Sequence, residues 1–502
     1  MIAMRRLLLA LALAPWLAPA QDLKEFEKKV TEFTLGNGMH FTLVERHDAP
    51  VVSFHTYVRA GSADDPSGIT GIAHMFEHMA FKGTETIGTR NWTEEKKAIE
   101  AVEEAYDKLE AERARGPKAD EGRMQSLEYQ LKLAIGKASM YVEPNLYPSI
   151  IEQNGGVGLN ARTAMDATEY HYSLPSNRIE LWFLLESQRF LKPVFREFYK
   201  ERDVVMEEYR QRVESSPQGK LLQVFQATAF AAHPYRNMGT GWPSDIQNLR
   251  RADALEFYRR YYAPANINMA ICGDVIPAEA RRMAEKYFGS LPVRPLPPLL
   301  HTVEPPQAGP KQAILESASQ PLLLVGYKRP DIYDKDDPVL EVMAGVLSSG
   351  RTGWLYTDLV RDRKVALAAQ AQDAFPGSRY PNMFVFLLVP NVGRSVEETQ
   401  KALEEVLARF RSQRVDEVTL RRVKNKTRAT LIRRLDSNAG LAALLTTYYG
   451  VYGDWRKLFT ALDDVSKVTA ADVARAAAKY FVPQGRTVAY TMAPARAAGG
   501  VK

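Results

Sequence analysis

The sequence predicts an α+β fold of two homologous halves, each a mainly antiparallel sheet covered by helices, with a proline-rich linker between them. Three observations predict this organisation. Strand-like hydrophobic runs alternate with helical patterns, one helix–turn–strand pattern occurs twice, and a proline-rich stretch separates the two occurrences. The length of 502 residues also exceeds what a single compact core usually organises.

The repeated pattern predicts that the halves are homologous. A segment that begins at Ile246 aligns with one that begins at Val465 at a constant offset of 219 residues. Each combines a capped helix, a turn at proline and a hydrophobic strand. Unrelated domains can share such a pattern, but identical residue types at one offset favour duplication. The aligned positions are Ala252-Asp253 with Ala471-Asp472, Tyr261 with Tyr480, Tyr262 with Phe481, and Pro264 with Pro483.

Domain boundaries follow from composition. Residues 291–310 are rich in proline and lack periodicity, which is typical of a semi-rigid linker. They separate an N-terminal domain, residues 21–290, from a homologous C-terminal domain, residues 311–492. Residues 493–502 are predicted to form a tail.

Each half shows both kinds of secondary-structure pattern. We expect strands in hairpins with helices covering one face of each sheet. Strands are predicted at 42–46 and 51–58 in the first half and at 322–327 and 383–389 in the second. Helices are predicted to begin near Ile72, Arg178, Phe198, Val339 and Val396.

A highly charged segment, about residues 93–138, interrupts the first half. Two narrow apolar stripes at helical spacing flank Gly116-Pro117, so the segment is predicted to be a helical hairpin. The alternative is a solvated appendage with no role beyond its shape. The stripe residues are Ile99, Val102, Tyr106 and Leu109, followed by Met124, Leu127, Leu131 and Ala134.

The N-terminus, residues 1–20, has the three parts of a secretory signal peptide. Arg5 and Arg6 form a positive region, an apolar run follows from Leu7, and Ala20 ends a small-residue cleavage site. We expect cleavage there and a periplasmic or secreted protein. The apolar run is too short to span a bilayer, and no transmembrane segment is predicted for the mature chain.

Composition excludes several classes of function. Cys272 is the only cysteine, so neither an intrachain disulfide nor a multi-thiolate metal site can form. The formal net charge of +6, or +4 without Arg5 and Arg6, is too small and too dispersed to predict nucleic-acid binding.

The most informative motif is the run His74-Met-Phe-Glu77-His78. On a helix, these two imidazoles and the carboxylate share one face. Two imidazoles at this spacing can bind one Zn²⁺, and the carboxylate can take a proton from water. The alternative is a pair of surface histidines on an amphipathic helix. Apolar neighbours such as Phe76 and Phe81 argue against it, because burying such groups without partners is costly.

Two histidines leave a zinc site one protein ligand short. An acidic run from Glu201 to Glu208 can supply a carboxylate, since these two glutamates lie two helical turns apart on one face. Periodicity alone also allows Asp203 or Glu207. The alternative is an acidic helix that only faces solvent.

These motifs resemble the pitrilysin-type family of inverted (H-x-x-E-H) zinc metallopeptidases, above all its short members of the mitochondrial processing peptidase type. The resemblance extends from about residue 30 to 490 and is most specific in the first half. The matching residues are Gly61-Ser62, the run from Gly71 to Thr84, Leu159-Asn160-Ala161, Asp166 with Thr168, and the run from Glu201 to Glu208.

The resemblance implies a role for each motif residue. His74, His78 and Glu208 bind one Zn²⁺ per chain, and Glu201 steadies a ligand histidine. Glu77 is the general base of a zinc metalloendopeptidase that hydrolyses peptides or unfolded segments with metal-activated water.

The resemblance also implies substrate-binding residues. Asn160 and Ala161 match an edge strand to which a peptide adds by backbone hydrogen bonds. Phe81 matches a residue of the pocket for the side chain that follows the cleaved bond. The alternatives are an ordinary strand end and a core aromatic side chain.

Two departures from the family pattern affect these expectations. The distance from His78 to Glu208 exceeds the family's usual gap by about the length of the charged hairpin, which an insertion at a loop explains. The family's active units also carry an Arg and a Tyr in the second half, where this chain has Val360 and Leu367. The expected assembly is therefore a dimer, with a heterodimeric partner as the source of the missing pair. The alternative function is a non-catalytic scaffold or assembly subunit that retains the fold.

Overall fold

The computed structural model describes residues 23–494. The predicted signal peptide lies outside them, as does most of the predicted tail. Within these residues, eleven strands form two sheets. The strands are β1 (Val30–Thr34), β2 (His40–Glu45), β3 (Val51–Val58), β4 (Val157–Thr163), β5 (Thr168–Pro175), β6 (Ile267–Gly273), β7 (Lys311–Glu316), β8 (Leu323–Arg329), β9 (Ala366–Phe375), β10 (Asn382–Pro390) and β11 (Arg486–Met492).

Helices precede, connect and cover the strands. They are α1 (Leu23–Glu27), α2 (Ile72–Met79), α3 (Trp92–Arg113), α4 (Glu121–Ser139), α5 (Leu146–Gln153), α6 (Ile179–Leu191), α7 (Phe198–Tyr209), α8 (Pro217–Ala229), α9 (Pro243–Asn248), α10 (Arg251–Tyr261), α11 (Pro277–Phe288), α12 (Asp337–Ser348), α13 (Val396–Ser412), α14 (Glu417–Asp436), α15 (Asn438–Tyr452), α16 (Lys457–Lys467) and α17 (Ala470–Tyr480). Two π-helical turns, Arg210–Glu214 and Tyr356–Asp362, complete the helical structure.

The two sheets share one strand order. The first runs β1-β2-β6-β3-β5-β4, and the second runs β7-β11-β8-β10-β9. The orders correspond when β1 is set aside, with β2 equivalent to β7 and β6 equivalent to β11. The pairs β2–β6 and β7–β11 are parallel, and the other pairs are antiparallel. This shared topology confirms the predicted α+β fold with two similar, mainly antiparallel halves.

The predicted repeat coincides with this shared topology. Helix α10 and strand β6 correspond, residue for residue at the offset of 219, to α17 and β11. Asp253 and Asp472 each cap the start of their helix by accepting from a backbone N–H three residues before. The proline after each helix opens a single 3₁₀ turn, because its fixed φ favours a turn and ends the helix.

Helices cover both faces of each sheet, whereas the sequence pattern predicted one. Helix α15, from the second half, packs on β3 and β6 of the first sheet. Helix α8, from the first half, packs on β7, β8 and β11 of the second sheet. The cause is visible in β6, which is buried at every residue and therefore needs apolar cover on both sides. Each half thus has its own main core, and two smaller apolar clusters contain residues of both halves.

The charged segment forms two helices, α3 and α4, packed against each other. Tyr106 of α3 stacks on Tyr199 with ring centroids 4.3 Å apart. Glu95 of α3 pairs at 2.7 Å with Arg196, and both side chains are almost fully buried. These contacts join α3 to the first-half core beside α7.

The proline-rich segment 291–310 has no helix or strand. Its Leu291 is buried. Near its far end, the Glu304 carboxylate accepts hydrogen bonds from the backbone N–H groups of residues 231–233 and lies 3.4 Å from Lys328 Nζ. Among residues 23–494, no helix has both the length and the apolar character needed to cross a membrane.

Candidate metal centre

Helix α2 begins in a rigid turn, which fixes the positions of His74, Glu77 and His78. Gly71, with φ of 90°, precedes the helix, and a Cβ there would lie 2.8 Å from a backbone oxygen of Thr240. The buried Asp65 carboxylate accepts from the N–H groups of Gly71 at 2.7 Å and Ala73 at 3.0 Å. It therefore satisfies donors that the first turn of a helix leaves free.

Three side chains converge beside α2. His74 Nε2 lies 3.5 Å and His78 Nε2 lies 3.4 Å from one carboxylate oxygen of Glu208. Glu208 is near the C-terminal end of α7, which packs against α2. The imidazole planes are at 89° to each other with centroids 4.8 Å apart. The structure thus brings together the three residues that the resemblance implied as ligands.

The two distances from the histidines to Glu208 fit a tetrahedral zinc ion. Ligand atoms about 2.0–2.1 Å from such an ion lie about 3.3 Å from one another. The observed 3.4 and 3.5 Å are close to that value and longer than most N–H···O hydrogen bonds. The side chains of His78 and Glu208 are 21% and 19% exposed, so the cluster is in contact with solvent.

Glu201 stands behind His78, as the resemblance implied. Its carboxylate accepts from His78 Nδ1 at 3.0 Å, and its other oxygen lies 2.5 Å from Lys82 Nζ. When Nδ1 carries the proton, Nε2 is free to bind a metal. His74 has no comparable support: its Nδ1 is buried without a hydrogen-bond partner among the described residues.

The electrostatics of the cluster favour a cation. Burial opposes charge on His78, but the carboxylates of Glu201 and Glu208 outweigh it and raise the pKa of His78 to about 9. Pairing with His78 lowers the pKa of Glu208 to about 2. Burial, with His78 nearby, lowers the pKa of His74 to about 4. A metal ion that binds His78 Nε2 must therefore displace a proton there.

Glu77 faces a cavity of about 340 Å³ beside the cluster. Burial raises the pKa of its carboxyl above the ordinary value. The cavity is also lined by His78, Phe81, Asn160, Ala161 and Glu201. Glu77 and these five residues, all of them candidate site residues from the sequence, therefore line the same cavity.

Strand β4 borders this cavity and lies at the edge of the first sheet. It pairs only with β5, so its other backbone edge has no strand partner among the described residues. A register shift lies between Val157 and Asn160, and Gly158 has φ of 68°. Such bulges redirect side chains at strand edges. Asn160 itself is exposed, and its Oδ1 accepts from the Ala161 N–H.

The aromatic ring of Phe81 lines the cavity and packs against the guanidinium of Arg189. The Arg189 guanidinium lies 4.8 Å from the centre of the Phe81 ring and 5.0 Å from the centre of the Tyr147 ring. Arg189 as a whole is 2% exposed. Phe81 and Tyr147 both line the cavity. Phe81 therefore belongs both to the cavity wall and to the packing around the first core, where it contacts buried residues.

In the second half, Val360 and Leu367 occupy the two positions where the family resemblance implies an Arg and a Tyr. Val360 lies in the π-helical turn against the second core, and Leu367 is 48% exposed on β9. Arg361, next to Val360, pairs with Asp362. The expected Arg and Tyr are thus absent from these two positions.

Sequence reasoning missed three residues that fix the site. Asp65 caps α2, Lys82 pairs with Glu201, and Arg212 Nη2 lies 2.5 Å from the second oxygen of Glu208. Lys82 lies in the matched motif, and Arg212 follows Glu208 at the helical spacing of four, so both carried a usable signal. Asp65 contacts α2 through a turn whose geometry no spacing rule predicts.

Comparison with known proteins agrees with this geometry. The family model described as insulinase (peptidase family M16) matches residues 41–111, which include α2. The model described as the peptidase M16 inactive domain matches residues 248–427.

Similar proteins extend along almost the whole chain. The zinc protease PqqE of Helicobacter pylori is 26% identical over 93% of this chain and 93% of its own. A probable mitochondrial-processing peptidase subunit beta of Arabidopsis thaliana is 22% identical over 91% of this chain and 76% of its own. The crystal structure of a protease from Helicobacter pylori has a TM-score of 0.77 at 25% identity, covering 92% of this chain and 99% of that one. Together with the matched domains, these similarities show that the chain belongs to the peptidase M16 (pitrilysin-type) family.

Proposed function

We propose that this protein is an exported zinc-dependent endopeptidase that hydrolyses peptides or unfolded segments. One observation carries the proposal: His74, His78 and Glu208 present three ligand atoms within 4.8 Å of one another, next to the carboxylate of Glu77. Relatives named zinc proteases support the same chemistry.

In this proposal, His74, His78 and Glu208 hold one Zn²⁺. When bound, zinc supplies a Lewis acid that polarises the scissile carbonyl and activates water. Glu77 takes the proton from the attacking water and delivers it to the leaving amine. The raised pKa of Glu77 suits both steps, because a carboxylate with a raised pKa is a stronger base and can also return the proton.

The substrate adds to β4 as a further strand. The unpaired edge of β4 offers backbone hydrogen bonds near Asn160 and Ala161. Both residues line the same cavity as Glu77. Phe81 lines the same cavity and packs the side chain that follows the cleaved bond. Binding as a strand favours peptides and unfolded segments over folded domains, because the backbone N–H and C=O groups of a folded domain are already paired.

A second M16 chain is the proposed partner. Val360 and Leu367 stand where an Arg and a Tyr are expected, so a related chain in a heterodimer supplies those groups. The relative named as a beta subunit of a processing peptidase supports a multisubunit assembly. Robust peptide turnover by the purified single chain would contradict this part of the proposal.

The alternative, a scaffold subunit without activity, has one observation in its favour: the match to the inactive-domain model. That match covers residues 248–427, which contain none of His74, Glu77, His78 and Glu208. It therefore bears on the end of the first half and much of the second half rather than on the candidate site.

The substitution Glu77→Gln separates the two functions. We expect the variant to bind zinc like the wild type and to lose nearly all cleavage of a quenched fluorescent peptide, measured with the co-purified partner when there is one. Glu152→Gln is the matched control, because Glu152 is exposed on α5. Unchanged cleavage by Glu77→Gln would remove Glu77 as the base, and a wild type without zinc would favour the scaffold.

A further inference from the structure

Helix α14 carries an unusual surplus of positive charge. Its 20 residues include seven basic and two acidic side chains. Six of the seven cations are exposed and the seventh is half-buried. None of the seven lies within 4 Å of a carboxylate among the described residues. The basic residues are Arg421, Arg422, Lys424, Lys426, Arg428, Arg433 and Arg434.

Helix α3 of the same chain provides a direct contrast. It is richer in charge, but three of its four cations pair with glutamates three or four residues away: Lys97 with Glu94, Lys108 with Glu104, and Arg113 with Glu110. Such pairs stabilise an exposed helix, whereas like charges at this spacing destabilise it by about 0.2–0.5 kcal/mol per pair. Helix α14 repeats like charges at Arg422 and Lys426 and again at Lys424 and Arg428. A solvent-facing helix gains nothing from this arrangement.

The cations form two rows. At 100° per residue, Arg421, Lys424 and Arg428 lie on one side of the helix, and Arg422, Lys426 and Arg433 lie on the other. The strip between the rows contains Val418, Asn425, Ala429 and Ile432, with Asp436 at its C-terminal end. Val418 is 64% exposed and Ile432 is 38% exposed. The surface therefore combines an apolar strip with a cationic border on each side.

Helix α14 extends from the second core to the first sheet. Val423 packs in the second core, and Leu435 packs with Val44 and Cys272 of the first sheet. Its C-terminal end thus reaches the half that holds the candidate metal centre.

The end of α14 lies on the same sheet face as Asn160. In the β4–β5 register, Asn160 faces His171 and Arg162 faces Glu169, and residues two apart share a face. Leu435 of α14 packs with Cys272, which lies opposite Ser53, and Ser53 lies opposite Ser173, two residues from His171.

A cavity of about 420 Å³ runs along α14. Lys426 and Arg434 line it, together with the hydroxyl groups of Ser348, Thr430 and Tyr448. Glu341 is its one carboxylate, and burial with nearby Asp373 raises the pKa of Glu341 to about 7. The cavity lies on the side of α14 that includes Val423 and Thr427, opposite the strip of Val418, Asn425 and Ile432, so it is separate from that strip.

We propose that α14 is a docking surface for an acidic polypeptide segment with a few apolar residues, on the side of the first sheet to which Asn160 belongs. The proposal rests on the proposed function in taking this segment as part of the substrate. Acidic side chains pair with the two cationic rows, and the apolar residues cover the strip that includes Val418 and Ile432.

Other polyanions fit this surface less well. Helix α14 has no aromatic side chain on which a nucleic-acid base could stack. Helices that lie in a membrane interface expose large apolar residues such as Trp, Phe and Leu, whereas the exposed strip of α14 contains an asparagine between a valine and an isoleucine.

A binding assay tests the surface without cleavage. The Glu77→Gln full-length protein is titrated with a short fluorescein-labelled peptide of Glu, Gly, Ser and Leu, and with a counterpart in which each Glu is Gln. We expect anisotropy to show binding of the acidic peptide alone, weakening as salt rises, because exposed charge pairs are screened. Adding Arg422→Gln and Lys426→Gln should weaken it about fivefold or more, since two exposed pairs are removed.

The matched control is Arg281→Gln with Arg282→Gln, which removes two cations from the exposed face of α11. This pair should change binding less than twofold, roughly the size of a long-range charge effect. Where the first variant fails to fold, Arg421→Gln with Arg428→Gln tests the other row. Equal weakening by the α11 pair, or equal binding of the Gln peptide, would overturn the proposal. Selective binding of phosphatidylglycerol vesicles or of a single-stranded oligonucleotide would overturn it as well.

Cleavage distinguishes failure of this surface from failure of the proposed function. If only the surface proposal fails, the α14 variants cleave acidic and neutral peptides as the wild type does. If the peptidase proposal fails, no peptide is cleaved, while binding to α14 still follows peptide charge. The supporting result is a loss of preference for the acidic peptide in the α14 variants, with cleavage of the neutral peptide unchanged.

Discussion

The substitution Glu201→Gln tests how the protein prepares a histidine for metal. Glu201 accepts from His78 Nδ1 at 3.0 Å and pairs with Lys82 at 2.5 Å. Glutamine keeps the size of the side chain and one acceptor oxygen, but it removes the charge. His78 keeps its orientation while its Nε2 becomes a weaker donor to metal.

Two effects set the size of the change. Loss of a carboxylate behind a ligand histidine commonly weakens metal affinity by about 10–100-fold, or about 1.4–2.8 kcal/mol. The same carboxylate helps raise the pKa of His78 to about 9, so its removal also reduces competition from the proton. Because the second effect partly offsets the first, we expect a loss near the lower limit, about tenfold.

Competition with a fluorescent zinc chelator near neutral pH measures this change. The control is Glu207→Gln on the same helix, since Glu207 is 55% exposed in its side chain and pairs only with Arg210. We expect wild-type affinity for the control. Wild-type zinc affinity in Glu201→Gln would refute the assigned role of Glu201.

Three further predictions concern stability. Gly71→Ala should weaken zinc binding and lower the unfolding temperature, because φ of 90° and a 2.8 Å approach to Thr240 leave no room for a Cβ; differential scanning fluorimetry with and without zinc tests it. Leu445→Ala should cost about 2–5 kcal/mol in urea unfolding, since Leu445 is fully buried where α15 covers the first sheet; a loss below 1 kcal/mol would argue against that packing. Asp336 pairs with Arg475, which holds the pKa of Asp336 well below its usual range. The ionised Asp336 carboxylate stabilises the folded state fully above the pKa of about 4 that it has in the unfolded chain. This stabilisation is lost as the pH falls toward the lower pKa of the folded state, so the stability of the wild type should fall more steeply in acid than that of Asp336→Asn.

The sequence predicted the elements of the fold better than their packing. Helix starts at Ile72, Phe198 and Val396 agree with the structure, because each follows a clear change from turn residues to helical periodicity. The repeat at an offset of 219 marked equivalent helices and strands. No local pattern indicated that α8 and α15 cover the opposite half, because an amphipathic helix shows that it has a partner but not which one.

The candidate site shows the same limit. The spacing of His74, Glu77 and His78 predicted a shared helix face because all three lie on one short helix. Choosing Glu208 over Glu207 required the resemblance, since periodicity allowed both. In the structure Glu208 faces the histidines, whereas Glu207 pairs with Arg210 at the surface. The role of Asp65 depends on a tertiary turn and was not predictable from spacing.

The central claim is that three side chains from α2 and α7 hold one zinc ion. Anomalous scattering at the zinc edge, from crystals of the protein purified with zinc, tests it most directly. The account predicts a single peak per chain about 2.0–2.2 Å from the nearest ligand atoms of His74, His78 and Glu208. No peak there, or a peak that Glu208 does not reach, would contradict it.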